Sequence, residues 1–256
     1  THMLIDRGRW YSQYPPGHAL LLVPGIWLGV PWLTNPLLGG VSIYGTFLLG
    51  RALFGRAAGR LAAVLGLLSP FLLLMAAEFM AHVSALAALT YFLVFLVRAL
   101  RPAEDPADPR QAAGRRRDGM LAGACLLLGV LIRPFTAFAV VVPAFLYALW
   151  LLRRDRGGMP ALVWTAAGGA AGVVLLGLYN WGTTGDPLVT GYVRLYGPSH
   201  GIGFGRGSWG PPHTLERGLR HAAANLQSLN GRLFEWPVTS LVPLLLALLP
   251  ARWLQA

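Results

Sequence analysis

The chain contains no lysine; all 21 of its basic residues are arginine. It has a single cysteine, Cys125, set in an apolar stretch. No disulfide can therefore form within the chain, and a thiolate metal cluster lacks its further ligands. Charge is scarce as well. Charged residues make up 12% of the 256, whereas soluble globular domains carry roughly 25%. That scarcity excludes an ordinary soluble domain. Several motifs are missing too: no Gly-x-Ser-x-Gly elbow, no His-Glu-x-x-His zinc motif, and no apolar leader near the N-terminus. The glycine-rich GIGFGRG, 201–207, follows no strand and opens no clear helix, so it is not read as a nucleotide loop.

What is present is apolar. Hydrophobic residues reach 55% and the mean hydropathy is +0.55, the composition of a membrane protein. The net charge of +11 raises nucleic acid as a partner. It is rejected, because most arginines sit in short loops between apolar spans, where topology accounts for them. Residues 1–3 carry no weight, since His-Met is a common cloning remnant.

About 20 apolar residues cross a bilayer. Spans of this kind are expected near 36–54, 60–78, 81–100, 119–133, 135–152, 160–180 and 237–252. The fold class expected is all-α, a polytopic helical bundle of about seven spans with an outer juxtamembrane helix and a small outer loop domain. The expected division is 1–35, an outer-face juxtamembrane segment; 36–180, the bundle; 181–236, an outer loop; and 237–256, the final span. Arginines crowd three connections: 51–60, 98–117 and 153–156. If each span crosses once, the three fall on one side, which the positive-inside rule makes the cytoplasm. The segment 11–32 is apolar but broken by Pro15, Pro16, Pro24 and Pro31. It is too short to cross, and a crossing there would put the arginine clusters outside. A helical piece at the outer face is expected instead. In 213–234, Leu215, Leu219, Ala222, Leu226 and Leu229 form one apolar stripe. This is an amphipathic helix, either at the outer membrane boundary or in a soluble lid.

Four outer pieces should then converge: 8–18, 76–82, 132–135 and 179–192. Arg133 stands out, being the only charged residue between Asp118 and Arg153. Its guanidinium keeps its charge and offers five donors in a planar fork that fits phosphate or carboxylate. The plainer reading is snorkelling, or a structural pair with Glu78. Glu78 and His82 are spaced i, i+4 and could relay a proton, or simply cap a span. Two groups are too few for a metal site. Tyr11, Tyr14, Tyr179, Tyr192 and Trp181 suit an interfacial belt, with sugar stacking as the functional alternative. Asp186, in a Gly-Asp-Pro turn, reads as a turn residue.

The runs YPPGHALLL, NPLLGGVSIYGTFLLGRALFG, LGLLSPFLLL and GVLIRP, with YNWGTTGDPLVTGY and NLQSLNGRLFEWP after them, resemble polytopic glycosyltransferases of the GT-C type. The narrower likeness is to the bacterial dolichyl-phosphate-mannose–protein mannosyltransferase-like group, which includes aminoarabinose and Rgt-type transferases. The likeness covers nearly the whole chain through the order and spacing of these runs. It implies an enzyme of the bacterial plasma membrane that moves a sugar from a polyprenyl-phosphate donor to a protein, glycan or lipid acceptor outside the cytoplasm. No cofactor is implied, and the sequence supports no divalent metal. Arg133 and Arg9 would hold the donor phosphate. Tyr14, His82, Tyr179, Asn180 and Tyr192 would line the substrate site. The family's catalytic acid follows a first transmembrane helix. Nothing matching it precedes YPPG here, so the chain is expected to be truncated at its N-terminus. Asp6, Glu78 and His82 are the weak catalytic candidates left, His82 standing about where the family often has an acid. A transporter or lipid flippase, or a noncatalytic membrane scaffold, is the alternative.

Overall fold

A computed structural model describes every residue except 1, 2, 7, 103, 104, 106, 107, 202, 206–209, 236–238 and 243–256. Most of the expected final span, 237–252, lies outside the described residues, as does part of the glycine-rich run 201–207.

The chain is helical with one departure from the all-α expectation. Strands β1 (Met3–Asp6) and β2 (Arg9–Ser12) form an antiparallel hairpin, pairing Leu4 with Tyr11 and Asp6 with Arg9. Gly8, at φ 76°, supplies the left-handed turn residue. Alternation does the rest: Leu4 and Tyr11 are buried while Met3, Ile5 and Trp10 face outward.

Ten α-helices follow among the described residues. They are α1 (Gly17–Trp27), α2 (Thr34–Phe54), α3 (Arg56–Leu67), α4 (Pro70–Ala77), α5 (His82–Ala99), α6 (Pro109–Ile132), α7 (Pro134–Leu152), α8 (Met159–Thr184), α9 (Gly191–Tyr196) and α10 (Leu215–Arg232). Four segments, Pro31–Phe54, His82–Ala99, Pro134–Leu152 and Arg156–Thr184, are long and apolar enough to cross a membrane. They coincide with expected spans. The expected span 60–78 is instead two helices, α3 and α4, bent by 60°. The cause is Pro70, which holds Ser69 extended at ψ 107°. The Ser69 hydroxyl caps α4 by accepting from Leu72 N, and it donates to Leu233 O at 2.6 Å. Counted as one span, the bent pair makes five. Helix α1 has 11 residues, too few to cross.

The expected span 119–133 is the second half of α6. Five charged residues, Arg110, Arg115, Arg116, Arg117 and Asp118, occupy its first half. The apolar remainder rises only about 21 Å at ~1.5 Å per residue. Yet α6 is the helix against which α5 and α8 both pack. Between α6 and α8 the backbones touch. A Cβ on Gly123 would stand 2.6 Å from Trp164 O, one on Gly119 2.6 Å from Ala161 Cα, and one on Gly168 would overlap the Gly123 backbone. These are small residues at four-residue spacing on both helices. That pattern lets helices associate where lipid removes the hydrophobic drive between them. Thr165 adds a hydrogen bond to Gly119 O at 3.2 Å across the interface. Beside it, Phe92 and Leu96 of α5, Leu126 of α6 and Leu162 of α8 fill the core.

The outward faces are apolar. Phe138, Leu146, Val173 and Val174 are each at least 60% exposed. Soluble monomers rarely expose apolar patches beyond a few hundred Å², so these faces suit lipid.

The arginine-rich connections gather at one end of the bundle. Arg115 pairs with Asp155 at 2.9 Å and donates to Ala99 O. Arg98 approaches Asp118 at 3.4 Å, and Arg101 donates to Ala52 O. The Gly157 N–H, and after it Arg115, hold the Asp155 carboxyl below its ordinary range.

The α6–α8 contact generates a test. Gly168→Leu should cost about 1–3 kcal/mol or abolish folding, because backbone must move. Gly114→Ala, at an α6 site with open space around it, should be neutral or stabilising by up to ~1 kcal/mol. Thermal unfolding in detergent distinguishes the two. Equal melting points would refute backbone-to-backbone packing here.

Candidate functional site

The other end of the bundle collects the four polar pieces. Its centre is the break between α6 and α7. Arg133 is extended there, at φ −146° and ψ 84°, because Pro134 follows and opens α7. The break is one residue long: Arg133 N still reaches Gly129 O, and Arg133 O still accepts from Ala137 N, both at 2.9 Å. Arg133 thus leaves the helix end half-buried.

The Arg133 guanidinium donates to His82 Nδ1. A guanidinium has donors only, so Nδ1 accepts and the ring proton sits on Nε2. The register of α5 against α6 makes the meeting. A Cβ on Gly129 would come 2.8 Å from Leu89 Cδ2, so the two helices approach closely there. His82 then stands opposite the end of α6. The Arg133–Glu78 ion pair considered from the sequence does not form. The Glu78 carboxylate makes no hydrogen bond or ion pair among the described residues, although it lies within electrostatic reach of His82.

The turn carrying Glu78 is strapped down from two sides. The buried Asn35 side chain donates to Glu78 O, and to Met80 O at 3.0 Å. His18 hydrogen-bonds to Phe79 O at 2.9 Å and to Ser84 Oγ at 3.0 Å. Gly17 before it rests on α6, where a Cβ would fall 2.7 Å from the Leu131 carbonyl carbon. The PPGH turn therefore wedges between the α5 and α6 ends.

The hairpin and α9 form the third wall. Arg194 grips Asp6 with both ends of its fork, at 2.7 and 3.1 Å. Tyr14 meets Tyr192 edge-to-face at 5.4 Å between ring centres. Tyr192 is one third exposed and lies within electrostatic reach of Arg133. Burial, and then the hydrogen bond and charge of Tyr14, push its phenol up to about 12, partly opposed by Arg133. Tyr11 is raised too, chiefly by burial and then by Asp6.

The sequence candidates thus separate. Arg133, His82, Tyr14 and Tyr192 share one face, with Glu78 beside it. Arg9 stands apart. It donates to Gly182 O and, with Trp181, Thr183, Thr184 and Gly185, lines a cleft of about 400 Å³. No contact joins Arg9 to Arg133 among the described residues. Asp6 is engaged by Arg194, which makes it a poor base. Asn180 is buried and donates to Pro187 O at 3.1 Å, closing the 181–190 turn. Asp186 caps Leu188 N at 2.8 Å, as a turn residue does. Tyr179 is half-buried in α8, within electrostatic reach of Tyr11. Among the described residues no three His, Cys, Asp or Glu side chains gather as a metal would need.

Sequence reasoning passed over His18, Asn35 and Arg194, which hold the walls together. For His18 and Asn35 the signal was available, since each is a polar side chain inside an apolar stretch. No local signal marks Arg194, whose partner is 188 residues away.

No protein-family model matches the chain, and no curated protein or solved structure matches it either.

Tyr192 carries a pH test. Its folded value lies above the ordinary 10, so folding favours the neutral phenol. The stability it contributes is fully present below pH ~10 and is lost as pH climbs towards ~12. Tyr192→Phe keeps the ring and removes the titration. The stability difference between wild type and variant should shrink between pH ~10 and ~12 in denaturant melts. A constant difference would refute the burial of that hydroxyl.

Proposed function

We propose that the chain is a multi-pass glycosyltransferase that takes a sugar from a polyprenyl-phosphate donor at the Arg133 end of the bundle. The carrying observation is Arg133, a permanent cation at a helix break, met by a neutral imidazole nitrogen instead of a carboxylate. Its charge stays unneutralised by its contact. In this reading the three arginine-rich connections face the cytoplasm. Six segments cross: α2, the α3–α4 pair, α5, α6, α7 and α8. The loop 181–236, with α10, lies outside.

The chemistry follows from charge development. An acceptor hydroxyl attacks the anomeric carbon from the face opposite the phosphate. The new carbon–oxygen bond forms as the bond to the phosphate oxygen breaks, and configuration inverts. The leaving phosphate gains negative charge, which a preorganised guanidinium stabilises. His82 positions Arg133 by accepting from it. Tyr14 and Tyr192 offer a ring edge and hydroxyls to the sugar. Glu78 is the carboxylate at this face with both oxygens open to take the acceptor's proton. The order of the sequence runs supports the same reading.

The bent α3–α4 pair favours one rival, since broken helices are frequent in transporters. There, however, the break is occupied by the bond from Ser69 to Leu233 O.

The test uses the detergent-solubilised full chain with undecaprenyl phosphate, and with undecaprenol as the phosphate-free control. Wild type should prefer the phosphate. Arg133→Ala should lose about 10–100-fold of that preference, the worth of one charged hydrogen-bonded contact. Arg133→Lys should fall between, keeping charge without the fork. An unchanged preference in Arg133→Ala, with membrane insertion intact, rejects the assignment.

A further inference from the structure

At the end of the bundle opposite Arg133, a cavity of about 570 Å³ opens between α2, α3 and α5. Arg51, Arg56, Arg98 and Arg101 line it, together with the apolar side chains of Leu48 and Val94. No acid lines it among the described residues. The fold forces these cations together. Gly55, at φ 93°, reverses the chain between α2 and α3. A Cβ on Gly59 would come 2.6 Å from Phe47 O, so the two helices run backbone to backbone. That brings Arg51 and Arg56 to one mouth. The bond from Arg101 to Ala52 O ties the end of α5 to the same place.

Ordinary structural roles explain only part of the cluster. Arg51 and Arg98 lie in the last turns of α2 and α5, where the helix dipole favours a cation. Arg51 also lies over the Phe47 ring, and Arg98 approaches the buried Asp118, which it shares with Arg117. Arg56 does not fit this account. It opens the 12-residue α3, where the dipole disfavours a cation and favours an anion. Four like charges around an acid-free cavity raise one another's cost unless an anion enters.

We infer that this cavity binds a phosphate group. The guanidinium forks match its oxygens, the N-terminal end of α3 at the same mouth favours an anion, and phosphate carries enough charge to answer several arginines at once. Leu53 and Phe54, exposed beside the mouth, would lie against the glycerol and first methylenes of an anionic phospholipid. A soluble phosphate compound offers the same headgroup chemistry without that contact.

The experiment measures binding to the full chain in a neutral detergent, by titration calorimetry and native mass spectrometry. The probes are phosphatidylglycerol, phosphatidylcholine and glycerol phosphate. The variants are Arg56→Gln and Arg51→Gln/Arg56→Gln. Saturable binding of phosphatidylglycerol over phosphatidylcholine, weakened at least about tenfold in the double variant, establishes a lipid phosphate site. Binding of glycerol phosphate with the same arginine dependence establishes a site for a soluble phosphate compound. Should the double variant fail to insert, Arg56→Gln alone must weaken binding by about threefold or more. No saturable binding of either phosphate, or binding indifferent to both variants, overturns the inference. Arg133→Ala should leave in place the glycerol phosphate and phosphatidylglycerol binding that depends on Arg51 and Arg56, so the two sites fail or stand separately.

Discussion

The contact between α6 and α8 is made by backbone, and the arrangement of both ends of the bundle depends on it. Gly119 and Gly123 on one helix, and Gly168 on the other, leave no room for a side chain at the crossing. In lipid such closeness is the available source of specificity, because apolar side chains gain nothing by leaving hydrocarbon for protein. Helix α6 then carries Arg115 and Asp118 to one end and Arg133 to the other. Helix α8 carries Gly182 and the turn closed by Asn180 to that same second end. Sliding α6 by one turn, about 5.4 Å, would separate Arg133 from His82 and Arg115 from Ala99 O together.

The two ends use arginine differently. At one end some guanidinia are answered, Arg115 by Asp155, Arg98 by Asp118 and Arg101 by a carbonyl, while Arg51 and Arg56 face the acid-free cavity. These pairs fix the ends of α5, α6 and the turn before α8. At the other end the ion pair of Arg194 with Asp6 holds the hairpin to α9 and leaves Arg133 out. A wall is thereby closed by charge, while the charge at its centre is left available.

Much of the bundle was legible because its signal is local. Spans α2, α5, α7 and α8 follow from apolar length, and α10 from its leucine stripe, on which no residue is buried. Ser69–Pro70 was legible too, as a Pro-imposed break, but the apolar count across 60–78 obscured it. The hairpin was missed because its strands have four residues each and borrow their stability from Asp6–Arg194, a contact no local pattern reveals. The convergence of polar pieces followed from counting crossings. Which of those residues are structural did not follow. Asn180 and Asp6 have the same chemistry as a ligand-binding pair, and only their partners, Pro187 O and Arg194, mark them as fasteners.

The identity of Arg133's partner decides what its neighbourhood can do. Had Glu78 closed on it, the pair would have been neutral and a phosphate would have had to displace a carboxylate. An imidazole nitrogen accepts one hydrogen bond and carries no charge, so four donors of the fork and the full positive charge remain. Asn35 and His18 enforce that choice. Both hold the 78–80 backbone by its carbonyls, which fixes the turn while leaving the Glu78 carboxylate outside the grip. The arrangement therefore places a cation and an unpaired carboxylate within one field without letting them cancel. In a purely structural end of a bundle nothing would oppose their closing. That separation, maintained by the buried Asn35 and the half-buried His18, is the physical argument for a site at this end.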